Sequence, residues 1–361
     1  MSGCRLAVWP PLPPSAHWRH PPGVPFPLDR AECRLFSRAR HGLWHGARAL
    51  GLGAGSELLV PAWHHGSEIE ALVRARASLA FYRLTPSLEP DAEHLERLVG
   101  PRTRALYLIH YLGFPQDAAR WRQWCDERAL LLVEDAAQAW LSSRDGVPSG
   151  ARGNLSLFCL YKTVGLPDGA AVLADALPPT RRRRPRADLR GLTRVHAAWL
   201  AQRTALLPNG RPRRYSAARD FELGNPDTPP ARVSVRLARR LGAPLVAAQR
   251  RANYERLLAT LGRHVSVPFA ELPPGAVPFA FPLELEHKPV FLERLRARGI
   301  VGLNLWSVPH PSLPAEEFPR EGALRARVVG LPVHQELRRA DIDDIAEAAA
   351  DCLRSWSDVA G

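Results

Sequence analysis

Lys162 is one of only two lysines in a chain with 49 basic residues. It stands between the apolar run Ser156-Leu157-Phe158-Cys159-Leu160-Tyr161 and the segment Thr163-Val164-Gly165-Leu166-Pro167-Asp168-Gly169. A primary amine can condense with an aldehyde, which a guanidinium cannot, and an apolar setting eases the loss of its proton. Arginine replaces lysine along the whole chain, so the argument rests on where Lys162 lies and not on the scarcity of lysine. The other lysine, Lys288, falls in the polar turn Glu286-His287-Lys288-Pro289 and is expected at the surface. Upstream, Leu131-Leu132-Val133-Glu134-Asp135 is an apolar strand ending on an acid, with the amide of Gln138 three residues on.

An amine so placed would suit an aldehyde cofactor, and pyridoxal 5′-phosphate makes four further demands. Its ring nitrogen needs a carboxylate to stay protonated as an electron sink. Asp135 could provide it through a charge-assisted hydrogen bond worth about 1.5–3 kcal/mol. Its phenolic oxygen needs a donor, and Gln138 is at hand. Its ring needs a flat neighbour, and His65 or His64 follows the strand Glu57–Pro61. Its phosphate needs backbone N–H groups at a helix start together with a cation. Ala39, Arg40 and His41 open the first long helical segment and offer both. Singly, each residue has a plainer reading: a turn aspartate, a snorkelling lysine, a loop histidine, a packed cysteine. In this order, on consecutive strand ends, they point to one site.

The elements that must position them alternate. Strand patterns at 57–61, 79–82, 105–110, 130–133 and 155–160 are separated by helical patterns at 67–76, 91–99 and 117–128, after a first helix at 37–50. Apolar strands alternating with amphipathic helices imply an α/β fold with a mostly parallel sheet covered on both faces. Ligands bind such sheets beyond the carboxyl ends of the strands, where His65, His110, Asp135 and Gln138 fall. Residues 1–30, with Trp9-Pro10-Pro11-Leu12-Pro13-Pro14, read as an extended arm. Residues 31–240 read as the large α/β domain, with an irregular arginine- and proline-rich stretch from 177 to 230. A helical pattern at 231–261 is broken near Gly242-Ala243-Pro244. Residues 241–361 read as a smaller α+β domain with a strand at 279–283 and helices at 289–298 and 340–354.

Composition is that of a globular protein, 46% hydrophobic and 24% charged over 361 residues. No apolar stretch is long enough for a membrane span and no signal-peptide pattern opens the chain. The five cysteines, Cys4, Cys33, Cys125, Cys159 and Cys352, have neither disulfide-like nor zinc-like spacing, so no metal is expected and a reducing, cytoplasmic setting is. The net charge of +13 is spread out apart from Arg181–Arg184 and accompanies no nucleic-acid motif. Steering of an anionic substrate is another use for it.

From Phe36 to Cys352, outside the irregular stretch, the chain resembles the DegT/StrS family of sugar aminotransferases within the fold-type I pyridoxal-phosphate enzymes. Val133-Glu134-Asp135-Ala136-Ala137-Gln138-Ala139 is similar to the family's I-E-D-A-A-Q-A, and Glu57-Leu58-Leu59-Val60-Pro61-Ala62 to its E-V-I-V-P-S. His110-Tyr111-Leu112-Gly113-Phe114-Pro115 resembles H-L-Y-G-x-P. Leu331-Pro332-Val333-His334, followed by Asp341-Ile342-Asp343-Asp344-Ile345, resembles L-P-L-H and the closing helix. The resemblance implies that Asp135 holds the pyridinium, Gln138 the phenolic oxygen and His65 a ring face, and that Lys162 bonds the cofactor. Phosphate contacts would come from Ala39, Arg40 and His41, with Asn225 matching a residue that a partner subunit contributes. Two departures stand out. The approach to the lysine is two residues shorter than the family's S-F-x-x-T-K-N, and Cys159 takes the place of the phosphate-binding serine, a far weaker donor.

The resemblance thus implies an aminotransferase that passes nitrogen from an amino acid, glutamate in the first instance, to a keto group on a nucleotide-linked sugar. A homodimer with shared sites, feeding polysaccharide or secondary-metabolite synthesis, belongs to the same expectation. Two alternatives stay open: a different reaction or non-sugar substrate on the same cofactor, and a non-catalytic relative serving as a regulatory or assembly partner.

Overall fold

The computed structural model describes residues 6–19, 21, 23–174, 177, 184–204 and 216–357. Cys4 and Arg181–Arg183 of the arginine run lie outside them. The main sheet has seven strands: β1 (Arg34–Phe36), β2 (Glu57–Pro61), β3 (Ser78–Tyr82), β4 (Thr103–Ile109), β5 (Leu131–Asp135), β6 (Leu155–Cys159) and β7 (Ala170–Ala174). Their spatial order is β1-β7-β6-β5-β4-β2-β3. Strands β2 to β6 run parallel, and β7 is antiparallel to both its neighbours. The sheet is therefore α/β and mostly parallel, as the alternating pattern implied. β1 and β7 escape that pattern because β1 is only three residues long and β7 follows β6 through the single turn Leu160–Thr163, with no crossover helix between them.

Strand β5 shows how the sheet places chemistry. Successive side chains leave a strand on opposite faces, so Glu134 and Asp135 serve opposite sides. Glu134 is fully buried and accepts hydrogen bonds from His110 Nε2 (3.0 Å), Gly150 N (3.0 Å) and Arg152 N (2.7 Å). Burial works against its charge, but these donors outweigh it and hold its pKa below the usual carboxylate range. His110 Nδ1 in turn accepts from Gln116 N at 2.9 Å. His110 therefore braces the strand ends and leaves the facing side of β5 to Asp135.

Helix α1 (Ala39–Ala49) lies hard against β6 and β7 because Gly42 and Gly46, four residues apart, put no side chain on its sheet face. A Cβ on Gly42 would stand 2.2 Å from Val172 Cγ2, and one on Gly46 2.5 Å from Leu155 Cδ1. That close approach sets the helix start beside the end of β6. Helix α2 (Ser67–Arg74) follows β2 through Gly66, whose φ of 112° only glycine adopts readily.

A second, antiparallel sheet has Val328–Pro332 between Ala280–Glu284 and Leu303–Asn304. It is packed by helices Ala243–Leu261 and Lys288–Ala297, on which helix Arg339–Ser357 lies. The break expected near Gly242 is present: Arg232–Ala238 and Ala243–Leu261 are separate helices. Lys288 is not at the surface. It is 2% exposed, and its Nζ donates to Leu305 O (2.9 Å) and Arg325 O (2.7 Å). Helix Lys288–Ala297 begins on this residue and turns it inward, so the polar neighbours in sequence misrepresent its surroundings.

The N-terminal arm is only partly extended. Leu6–Ala7 pair in parallel with Ile300–Val301, and Pro14–His17 form a 3-10 turn. Leu12 is fully buried, and a Cβ on Gly165 would strike Pro11 C at 2.3 Å. The irregular stretch contains a helix, Leu189–Thr204, which little apolar periodicity betrayed. No described helix is long and apolar enough to cross a membrane.

Candidate active site

A cavity of about 440 Å³ opens beyond the carboxyl ends of the parallel strands. It brings together Asp135, Gln138, Lys162, His65, Cys159, Ala39 and Arg40. Asp135 and Lys162 thus share one side of the sheet.

Asp135 ends β5 beside Ile109 and Leu157, its register partners on β4 and β6, all three facing the cavity. Its Oδ2 accepts from Tyr107 Oη (2.7 Å) and its Oδ1 from Ala137 N (2.8 Å). Burial pushes its pKa up and the Glu68 charge adds to this, against the Tyr107 hydrogen bond and Lys162. Gln138 spends its amide oxygen on Leu112 N (2.9 Å), so what it offers a ligand is the NH2 group, a donor. His65 accepts from Ser67 N on Nδ1 (3.3 Å), and its pKa is lowered to about 3 by burial first and then by Lys162 and Arg40. It is a neutral flat ring at neutral pH.

Lys162 lies in the single helical turn Leu160–Thr163, with Nζ 5.7 Å from the centroid of Phe279. Its pKa corrects the expectation of an easily lost proton. Burial does lower it, but Cys159, Tyr161, Asp135 and Glu68 together outweigh burial and raise it. Burial pushes the thiol of Cys159 and the phenol of Tyr161 up, so both are neutral at pH 7.

At the start of α1, Ala39 and Arg40 border the cavity, and Arg40 Nη1 donates to Asp220 O (2.9 Å) and Glu222 O (2.6 Å). His41 does not reach the cavity. It is buried between Ser37 Oγ (2.9 Å to Nδ1) and Leu223 O (2.8 Å to Nε2), and burial lowers its pKa to about 4. Each residue turns about 100° around a helix, so His41 leaves the face that Ala39 and Arg40 present to the cavity and is spent tying α1 to the 217–223 segment. Asn225 is exposed in a turn closed by Asp227 N, outside this chain's cavity. His64 is fully buried, bonded to Pro61 O (2.8 Å), and also outside.

Tyr107, Glu68, Arg38 and Trp306 border the cavity and were not anticipated. Tyr107 was legible: it lies two residues before Ile109, hence on the same face of β4. Glu68 caps the start of α2 by accepting from His65 N (2.8 Å). Arg38 lies with its guanidinium 5.2 Å from the Tyr161 ring, and Trp306 comes from the loop after Leu303–Asn304 with a φ of 50°.

The donor set fits a pyridoxal phosphate: a buried carboxylate, an amide donor, an uncharged ring, a primary amine, and a helix start flanked by guanidiniums. Solved structures resemble this chain in fold. S. venezuelae DesV superposes with a TM-score of 0.65 at 23% identity, covering 90% of this chain and 84% of that one. The PLP-form of the putative sugar aminotransferase Spr1654 from Streptococcus pneumoniae gives 0.67 at 17% identity, covering 96% and 93%. The fold is that of the pyridoxal-phosphate-dependent aminotransferases. Residues 31–175 match the family model of the DegT/DnrJ/EryC1/StrS aminotransferase family. It is 28% identical over 346 residues to dTDP-3-amino-3,4,6-trideoxy-alpha-D-glucose transaminase of Streptomyces venezuelae, covering 86% of this chain and 79% of the relative. It is 29% identical over 131 residues to GDP-perosamine synthase of Vibrio cholerae, covering 36% of each.

Proposed function

We propose that this aminotransferase moves an amino group from an amino acid, glutamate, to the keto group of a nucleotide-linked sugar. It would work in the cytoplasm as a homodimer supplying aminated sugars for surface polysaccharides or glycosylated secondary metabolites. The observation that carries the reading is the convergence of Lys162, Asp135, Gln138 and His65 on one cavity. The names of the two relatives, a dTDP-sugar transaminase and a GDP-perosamine synthase, support the substrate class.

When bound, the cofactor supplies an aldehyde that carries nitrogen and a ring that accepts electrons. Asp135 would hold a proton on the ring nitrogen, oriented by Tyr107 Oη and Ala137 N. Gln138 would donate its NH2 to the phenolic oxygen, and His65 would cover one ring face. Ala39 and Arg40 would meet the phosphate, with Cys159 beside them as a packed thiol. Lys162 Nζ would take the proton from the donor's Cα, as an amine beside the reacting carbon can. Trp306 and Phe279 would keep water from that amine. Asn225 would act across the dimer, in the partner's site.

The test is transfer of labelled nitrogen from glutamate to a set of keto-sugar nucleotides, followed by mass spectrometry. Lys162→Ala is expected to lose the bound cofactor's visible colour and to slow transfer on the order of 1,000-fold or more. Full transfer by that variant would sink the reading.

A further inference from the structure

A second chamber of about 380 Å³ adjoins the main cavity and shares Trp9, Arg38, Tyr161 and Arg194 with it. Its remaining walls are Pro10 and Pro11 of the arm, Leu166-Pro167, and the face of helix Leu189–Thr204 that carries Val195, Ala198 and Gln202. The walls are bonded to each other. Leu12 N donates to Val195 O (3.2 Å), His196 Nδ1 meets Leu12 O (2.9 Å), and Leu6–Ala7 anchor the arm to Ile300–Val301. The chamber is therefore built into the fold and not a gap under a loose tail.

The two cavities differ in charge. Asp135, Glu68 and Asp220 face the main one together with its cations. Among the described residues, the second is lined by the guanidiniums of Arg38 and Arg194 and by no carboxylate. Arg38 is held over Tyr161, and Arg194 makes one long contact, Nη2 to Pro167 O at 3.5 Å. Trp9 packs on Phe279 with centroids 5.4 Å apart, yet 43% of it is exposed. Paired guanidiniums match phosphate oxygens, and an indole among prolines offers a flat apolar surface to a heterocycle. The volume lies within the usual range of small-molecule sites, about 300–1,000 Å³.

We propose that this chamber takes the nucleoside diphosphate half of the substrate. Arg38 and Arg194 would contact the diphosphate and Trp9 the base, while the sugar reaches Lys162 through the shared opening. The inference rests on the nucleotide-linked substrate proposed above and assigns the residues that select it. The same cations could serve the cofactor's own phosphate, and the experiment separates the two.

Cofactor-loaded protein is titrated calorimetrically with dTDP, with GDP and with inorganic pyrophosphate. Arg194→Ala is expected to weaken both nucleotides and pyrophosphate by about tenfold or more. Trp9→Ala should weaken the nucleotides and spare pyrophosphate, and the cofactor's absorbance should persist in both variants. Nucleotide affinities within about twofold of the parent in both variants overturn the proposal, as does loss of the cofactor from Arg194→Ala with nucleotide binding unchanged. Binding of dTDP through Arg194 without transfer to any keto-sugar nucleotide would leave the chamber standing and remove the aminotransfer reading. Transfer with KM unchanged in Arg194→Ala would do the reverse.

Discussion

Asp135 is surrounded by its own donors, Tyr107 Oη and Ala137 N, which fix the carboxylate plane and leave its charge facing the cavity. Asparagine keeps the shape and removes the charge. Asp135→Asn is therefore expected to retain the cofactor but slow transfer roughly 10- to 150-fold, the worth of one charge-assisted hydrogen bond. Steady-state kinetics on the loaded variant check this, and an unchanged kcat would mean that no ring nitrogen meets residue 135. That Asp135, Gln138 and Lys162 share one cavity could be expected from the sequence, because chemistry limits which residue types could serve such a site. The proton affinity of Lys162 could not. Burial alone lowers it, and Cys159, Tyr161, Asp135 and Glu68 reverse the sign together, the last two brought beside the amine only by the fold. His41 failed for a related reason, since adjacency in sequence to Arg40 says nothing about which way a helix turns it.

Between β2 and α2 the chain turns through Gly66, and Phe221 packs against that glycine. A Cβ there would lie 2.2 Å from Phe221 Cε1 at a φ of 112°. Gly66→Ala is expected to destabilise the protein by about 2–4 kcal/mol through strain and overpacking together. Urea unfolding measures the loss, and a change below about 1 kcal/mol would show that the turn relaxes. At the start of helix Lys288–Ala297, burial and then Arg325 lower the Lys288 pKa from 10.5 to about 7. Above pH 7 the unfolded chain holds this proton more tightly than the folded one, so stability rises with pH. The rise is roughly 2 kcal/mol between pH 7 and pH 9. Urea titrations at the two pH values should show it in the parent and not in Lys288→Met. Five parallel strands were legible because buried strands and amphipathic helices alternate with different periods. Strands β1 and β7 and the helix Leu189–Thr204 were not, since short or weakly periodic segments are decided by what they pack on.

At the scale of the molecule, the two sheets, the arm and the loop carrying Trp306 meet around one cavity. Arg325 links them, with Nη1 to His64 O (2.8 Å) and Trp306 O (3.0 Å) and Nη2 to Ala62 O (2.6 Å). Asn225 lies exposed, three residues beyond the Glu222 carbonyl that Arg40 bonds. The proposed homodimer predicts a sedimenting mass twice that of the 40.0 kDa chain. A single species at the chain mass, active in transfer, would remove Asn225 from the shared site.

From the sequence alone came the α/β alternation, the acid and amide after β5 and the amine after β6. Each is a local pattern of polarity or of residue chemistry. Tertiary structure decided that His41 ties α1 to the segment carrying Leu223, that Lys288 is buried, and that the proline-rich arm walls a second chamber with Arg38 and Arg194. Those outcomes depend on which distant surfaces meet, and burial and charge are properties of the meeting, not of the residue.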